Sequence, residues 1–306
     1  MRTPLIPFLP ARPANVLIKP ESLQPTGAFK LRGAYNAIAA LDDTARARGV
    51  VAHSSGNHGY AVAYAAALLG VKAAIVVPHN APKVKTDAIR AAGAELVLVE
   101  PTLEARVAGA ASIERDRGYA LIPPFDHPHV IAGQGTVGLE IAEDCRPRPP
   151  SAVLVPISGG GLISGIAVAI KVLTPDTKVI GVEPELAADA RESFRTGARV
   201  AWPSADVART AADALRVEQV GELPFAHIKD LVHDIVTVTE DEMFTAVRKL
   251  ALGARLVAEP GGAAAVAASL FRDAAEVGAG EGPLVAVLSG GNIDPAVLAR
   301  VLTQDA

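Results

Sequence analysis

Short runs rich in Val, Ile and Leu alternate with longer Ala-rich stretches along this chain. The runs at 15–20 (NVLIKP), 50–54 (VVAHS), 73–78 (AAIVVP), 95–100 (ELVLVE), 152–157 (AVLVPI), 178–183 (KVIGVE), 234–239 (DIVTVT) and 284–289 predict strands. Several are continuously apolar, the pattern of strands covered on both faces of a parallel sheet. Helical patterns occupy 28–42, 58–69, 82–92, 103–117, 134–145, 161–173, 240–256 and 261–274, with a last helix from near Asp294. Gly70 and Gly93 stop two of them. Pro82 and Pro295 sit at first helical positions, and Asp294 caps the last one. This alternation predicts an α/β fold with open, doubly wound sheets. The breakers PPFDHPH at 123–129 and RPRPP at 146–150 suggest a smaller unit, 49–127, inserted in a larger one made of 1–48 and 128–306.

Composition narrows the classes. Half of the 306 residues are apolar and 20% are charged, which is a globular balance. Lys and Arg total 29 against 33 Asp and Glu, a net charge of −4, so no electrostatic footprint for nucleic acid or an anionic membrane exists. The single cysteine, Cys145, excludes an intrachain disulfide and a Cys-based metal site, and fits a reducing, cytoplasmic setting. No apolar run reaches the roughly 18 residues that span a bilayer. Pro4, Pro7, Pro10 and Pro13 prevent the amphipathic helix of a transit peptide.

The chemistry concentrates in loops after strands, where open α/β sheets bind ligands. In ESLQPTGAFKLRGAY (21–35), a turn leads into a helix whose first turn carries Lys30. Helix starts are partially positive, so an ammonium there is repelled and its pKa is pushed toward the neutral, nucleophilic amine, although an ordinary solvated lysine explains this stretch taken alone. His53-Ser54-Ser55-Gly56-Asn57-His58-Gly59 offers hydroxyls, an amide and backbone N–H groups that suit a carboxylate at a helix N-terminus, and equally a capping turn in which Ser55 or Asn57 satisfies the helix end. Ser158-Gly159-Gly160-Gly161-Leu162 opens a helix directly after a strand and can form a nest for a phosphate dianion. It matches neither the dinucleotide fingerprint nor a nucleotide P-loop. Ser289-Gly290-Gly291-Asn292 is a further tight loop. Glu183, Ala187 and Asp189 could supply two carboxylates and a carbonyl to a hard cation, although a solvated acidic loop explains the same spacing. His127 and His129 have no third ligand nearby in sequence and read as a loop.

The motifs ESLQPTGAFKLRGAYN, HSSGNHG, VIAGQGTVGLEI, PISGGGLISGIA, VEPELAAD, DIVTVTEDEM and VLSGGNID, in this order, resemble the fold-type-II pyridoxal-phosphate enzymes, in particular the serine/threonine dehydratase and serine racemase group. The resemblance implies two domains as in the tryptophan synthase β-subunit, with pyridoxal 5'-phosphate between them, and a homodimer. It makes Lys30 the Schiff-base lysine, with Phe29 packed beside it and Asn57 at the cofactor's phenolic oxygen. Ser158, Gly159, Gly160, Gly161 and Leu162 would hold the phosphate and Ser289 the pyridine nitrogen. Ser54, Ser55, Asn57 and His58 would take the substrate carboxylate. Ser55 also matches the serine that faces the substrate α-carbon opposite the lysine in the racemase. Glu183, the Ala187 carbonyl and Asp189 match a Mg²⁺ or other divalent-cation site seen in part of the family.

The implied reaction is dehydration and deamination of a β-hydroxy amino acid such as threonine or serine to a 2-oxo acid and ammonia. An amino-acid racemase is the alternative. A non-catalytic binding protein on the same fold is a third reading, against which the intact Lys30 argues. Ala214 and Gly261 depart from the family's usual glycine and its usual threonine or serine, and imply an altered substrate pocket.

Overall fold

In chain order the strands are β1 (Ile6–Pro7), β2 (Val16–Pro20), β3 (Val50–His53), β4 (Ala73–Pro78), β5 (Glu95–Val99), β6 (Ala120–Leu121), β7 (Ala152–Pro156), β8 (Lys178–Pro184), β9 (Asp234–Val238) and β10 (Leu284–Leu288). They come from a computed structural model that describes residues 1–10, 15–54, 56–81 and 83–303, with Val84 and Lys85 described by backbone alone. Ser55, Pro13 and Pro82 therefore lie outside the described residues. Every predicted strand forms, with ends shifted by one residue at most. The added β1 and β6 have two residues each, too few to carry a hydrophobic pattern.

The chain divides into two compact units, Met1–Phe29 with Gln134–Ala306, and Lys30–Gly133. The larger unit holds a six-stranded sheet in the order β1-β2-β10-β7-β8-β9. All its pairs are parallel except β1 on β2. Side chains alternate between the faces, as the period-2 pleat requires. Ile18, Leu154, Ile180 and Ala286 face the helices Glu240–Lys249 and Pro260–Phe271. Val153, Val155, Val179 and Val285 face Ile163, Ile166 and Ile170 of the helix Gly161–Leu173. Both faces are thus covered, and each fully buried Val, Leu or Ile contributes about 1.5–3 kcal/mol. Because the strands run parallel, the segments that follow β2, β7, β8 and β10 leave the sheet at one edge.

The smaller unit has a parallel sheet in the order β5-β4-β3-β6. Val50, Ala52, Ile75 and Val77 pack with the helices Lys30–Ala39 and Asn57–Leu68, while Val51, Ala74 and Val76 pack against Ala110 and Ile113 of Leu103–Arg117. Its β3 and β6 are neighbours, so the loops after them leave side by side.

The unit boundaries differ from those expected at 48/49 and 127/128. The helix Lys30–Ala39 buries Leu31, Ala34 and Ile38 against Asn57–Leu68, which assigns it to the smaller unit. The second boundary falls within a helix that runs Pro128–Asp144, six residues longer at its start than the pattern from 134 predicts. The expected helix 28–42 forms over Lys30–Ala39, and a separate short helix, Asp43–Arg48, follows it, capped by the Asp42 side chain, which accepts from Ala45 N at 2.8 Å. The helices Asp189–Thr196 and Glu222–Leu231 carried no pattern that the sequence reading found.

Candidate active site

In the larger unit, the approach to Lys30 is built by pinning one loop on another. Gly27 has φ +71°, and a Cβ there would stand 2.3 Å from Asn292 Oδ1, so only glycine fits. Asn292 Nδ2 donates to Thr26 O at 2.9 Å and Gly291 N to Gly27 O at 2.8 Å. Phe29 N donates to Ser289 O at 3.0 Å, and Ala28 bridges Gly290. Behind this ribbon, Ser289 N donates to Gly262 O at 3.2 Å. Gly262 lets the helix Pro260–Phe271 approach, since a Cβ would lie 2.1 Å from Gly290 O. Ser289, 6% exposed, is therefore fixed in register with the residue before the lysine. Gly261 is also in contact: a Cβ there would meet Leu215 Cγ at 3.0 Å, so Leu215 occupies the space a larger residue would need.

The glycine loop leaves the neighbouring strand β7. Gly160 is left-handed at φ +87° and N-caps the helix Gly161–Leu173, and a Cβ on it would stand 2.7 Å from Pro224 Cβ. The helix has no acidic residue in its first turn. Its leading N–H groups have no partner within the helix and carry partial positive charge, the arrangement that holds a phosphate. Ser158 through Leu162 thus offer mostly backbone at the helix start, where larger side chains would obstruct an anion.

In the smaller unit, Lys30 is the first residue of its helix and partly buried, and its Nζ donates to Pro124 O at 2.8 Å. Burial pushes the ammonium down from 10.5 to about 8. The helix Asn57–Leu68 starts with Asn57 and His58 after the turn in which Gly56 N donates to Ser54 Oγ at 3.2 Å. Gly59 is forced by contact, because a Cβ there would fall 1.9 Å from Ser54 O. His58, expected at the substrate carboxylate, has its ring turned inward. It is 3% exposed and its Nε2 lies 2.8 Å from Ile122 O. Burial, with the nearby Lys30 charge, pushes His58 down to about 3, so the ring is neutral and donates from Nε2. Only its backbone N–H is left for a carboxylate at the helix start. The carbonyls of Ile122 and Pro124 were missed from sequence, where Pro123 and Pro124 registered only as part of a breaker.

Glu183 near the end of β8 and Asp189 beyond it are each 1% exposed, as is Ala187. The Glu183 carboxylate accepts from Ala190 N at 3.1 Å and Arg191 N at 2.7 Å, and Asp189 Oδ2 is buried without a hydrogen-bond partner. Burial and the second carboxylate hold Glu183 well above the usual range, and burial pushes Asp189 up to about 7. This is a buried acid pair, not the solvated loop. An orphaned oxygen beside a second carboxylate fits a hard cation. Among the described residues no cluster of three or more His, Cys, Asp and Glu exists, so the backbone carbonyl of Ala187 would be the third protein ligand.

The larger unit thus carries a glycine loop at a helix start and a serine just beyond a neighbouring parallel strand, and the smaller unit a partly buried lysine of lowered pKa. The chain belongs to the family of pyridoxal-phosphate dependent enzymes, which it matches over residues 1–290. It is 41% identical over 281 residues to the L-threo-3-hydroxyaspartate ammonia-lyase of Saccharomyces cerevisiae, covering 92% of this chain and 84% of that one. It is 42% identical over 291 residues to the L-threonine ammonia-lyase of Thermotoga maritima, covering 95% and 70%. The solved structure of maize serine racemase superposes with a TM-score of 0.89 at 35% identity, covering 98% of this chain and 91% of that one. Each unit taken by itself has groups that suit part of pyridoxal phosphate: in the larger one the Gly160 and Gly161 backbone opens a helix without an acidic residue in its first turn, and in the smaller one Lys30 offers an amine.

Proposed function

We propose that this enzyme eliminates the β-hydroxyl of an amino acid such as threonine or serine and releases a 2-oxo acid and ammonia. The observation that carries the reading is the Lys30 amine, lowered to about 8 and docked on a carbonyl. Such an amine is neutral for a useful fraction of the time near pH 7–8 and can remove an α-proton. The bound cofactor supplies the electron sink for the α-carbanion. Ser158 through Leu162 would hold its phosphate, Phe29 would pack beside it, and Asn57 and Ser289 would offer hydrogen bonds to its ring. Ser289 is a neutral hydroxyl and, unlike a carboxylate, would not hold a proton on the ring nitrogen, which would favour loss of the β-hydroxyl over transamination. Ser54, Ser55, Asn57 and the His58 N–H receive the substrate carboxylate at an electropositive helix start. Glu183, Ala187 O and Asp189 hold a divalent cation. The enzyme works as a homodimer in the cytoplasm. Cys145, 7% exposed and with its thiol pushed up to about 11 by burial, suits a reducing compartment. Among the described residues no helix is long and apolar enough to cross a membrane.

Relatives named serine racemase, 35–39% identical, favour racemisation as a second reading. In it Ser55 donates a proton to the face opposite Lys30. A panel of L- and D-serine, threonine and 3-hydroxyaspartate, read for 2-oxo acid, ammonia and chirality, tests both. Ammonia release supports elimination, and loss of enantiomeric excess without ammonia supports racemisation. A fully loaded enzyme inert to the whole panel removes both.

A further inference from the structure

The loop after β6 is held in an unusual way. Ile122 N donates to Val51 O at 2.9 Å, the last sheet bond on that side. Pro123 and Pro124 follow and have no N–H to donate. The next backbone bond is local, from His127 N to Phe125 O at 3.0 Å. Between them the chain presents two carbonyls to the unit's interior. Ile122 O receives His58 Nε2 at 2.8 Å, and Pro124 O receives Lys30 Nζ at 2.8 Å.

We infer that His58 is a positioning residue for Lys30: by holding the Ile122 carbonyl, it fixes the Pro124 carbonyl two residues on as the docking acceptor of the Lys30 amine. The inference rests on the reading of Lys30 as the cofactor-bearing base. A buried histidine needs a partner in any case. What separates this one from an ordinary core histidine is that its acceptor lies on the same proline-stiffened stretch as the lysine's. Through the ring, the helix that opens the substrate loop and the carbonyl that docks the base share one short segment. The neutral state of His58 is what the arrangement needs, because an imidazolium there would repel the lysine's own charge.

The direction of the effect follows. A carbonyl oxygen stabilises an ammonium more than an amine. If Pro124 O drifts, Lys30 loses that support and its pKa falls below about 8. The other titratable groups on the elements around it are Arg32 and Tyr35 on its own helix, Tyr60 and Tyr64 on the helix Asn57–Leu68, His53 at the end of β3 with the Arg106 charge acting on it, and Asp126 and His127 on the segment itself with His129 just beyond it. All stay in place in the variants below.

The test uses the full chain without added cofactor. The rate at which acetic anhydride acylates Lys30 is followed against pH by peptide mass spectrometry. His58→Leu removes the donor, and the Lys30 midpoint is expected to fall by about one unit, a tenfold change in the protonation constant. His58→Gln keeps an amide N–H at the reach of Nε2 and is expected to keep the wild-type midpoint. His58→Asn, too short to reach, is expected to follow Leu, which preserves the comparison if the Leu variant does not fold. Equal midpoints in wild type, Gln and Asn variants overturn the inference, as does a Gln variant that shifts with Asn. Failure of the ammonia-lyase reading would show instead as a loaded enzyme without turnover, with this titration unaffected.

Discussion

Phe29 N donates to Ser289 O at 3.0 Å, which ties the residue before the lysine to the hydroxyl-bearing loop after β10. That register depends on Gly262, whose missing Cβ would otherwise lie 2.1 Å from Gly290 O. The clash is with backbone, so no rotamer change relieves it. Gly262→Ala is expected to destabilise by about 1–3 kcal/mol, the range for overpacking, and to weaken cofactor binding because Ser289 moves with the loop. Urea unfolding and titration with pyridoxal phosphate, followed by absorbance, check the two effects separately. Wild-type values for both would remove the register argument.

The lysine gives a pH dependence with a defined sign. A base acts when neutral, and the Lys30 amine becomes neutral as pH rises through about 8. The rate of α-proton removal should therefore climb through that region and level off above it. The same shift acts on stability. The folded state disfavours the protonated amine relative to the unfolded value of 10.5. The unfolded chain therefore holds more protons between about 8 and 10.5, and this group's contribution to stability rises with pH across that window. Lys30→Met should flatten that slope and lower turnover by about 10²–10⁴-fold. Exchange of the substrate α-proton for deuterium, measured against pH, isolates the step.

Much of this was legible in the chain itself. The Val/Ile/Leu runs specify strands buried on both faces, and their β-rich composition places every one of them. Lys30 and the glycine loop stand out in the chain because each breaks a local rule, a cation at a helix start or more glycines than a turn needs, whereas Ser289 is singled out only by the family resemblance. What was not legible depends on contacts distant in sequence. The helix Lys30–Ala39 joins the smaller unit through packing on Asn57–Leu68, which no local pattern records. The inward ring of His58 and the acceptor role of Pro124 arise because β3 and β6 are neighbours in the sheet. The acids at 183 and 189 read as solvent-facing by spacing, and only the fold buries them.

The phosphate cradle makes its own prediction. Gly160 has φ +87°, and a Cβ would also stand 2.7 Å from Pro224 Cβ, so alanine is doubly disfavoured. Gly160→Ala should tilt the first N–H groups of the helix away from the phosphate. The loss should appear as at least about a tenfold weaker affinity for pyridoxal phosphate, or 1.4 kcal/mol, with a smaller change for pyridoxal, which lacks the phosphate. Equal losses for both would show that the loop holds something other than the phosphate.

The buried pair Glu183 and Asp189 turns cation binding into a stability measurement. Asp189 Oδ2 lacks a hydrogen-bond partner, and both carboxyls are held above their ordinary range by burial, Glu183 also by its neighbour. A divalent ion would satisfy the orphaned oxygen and neutralise the repulsion. Mg²⁺ or Ca²⁺ at a hundred times its dissociation constant should then stabilise the fold by about 2.7 kcal/mol, seen as a higher melting temperature that a chelator reverses. Asp189→Asn removes one of the two like charges and the ligand together. Its metal-free form should melt higher than the metal-free wild type at pH 8, and added cation should move it no further. A wild type whose melting temperature ignores divalent ions, with or without chelator, would mean that the two acids share a proton in the interior and hold no metal.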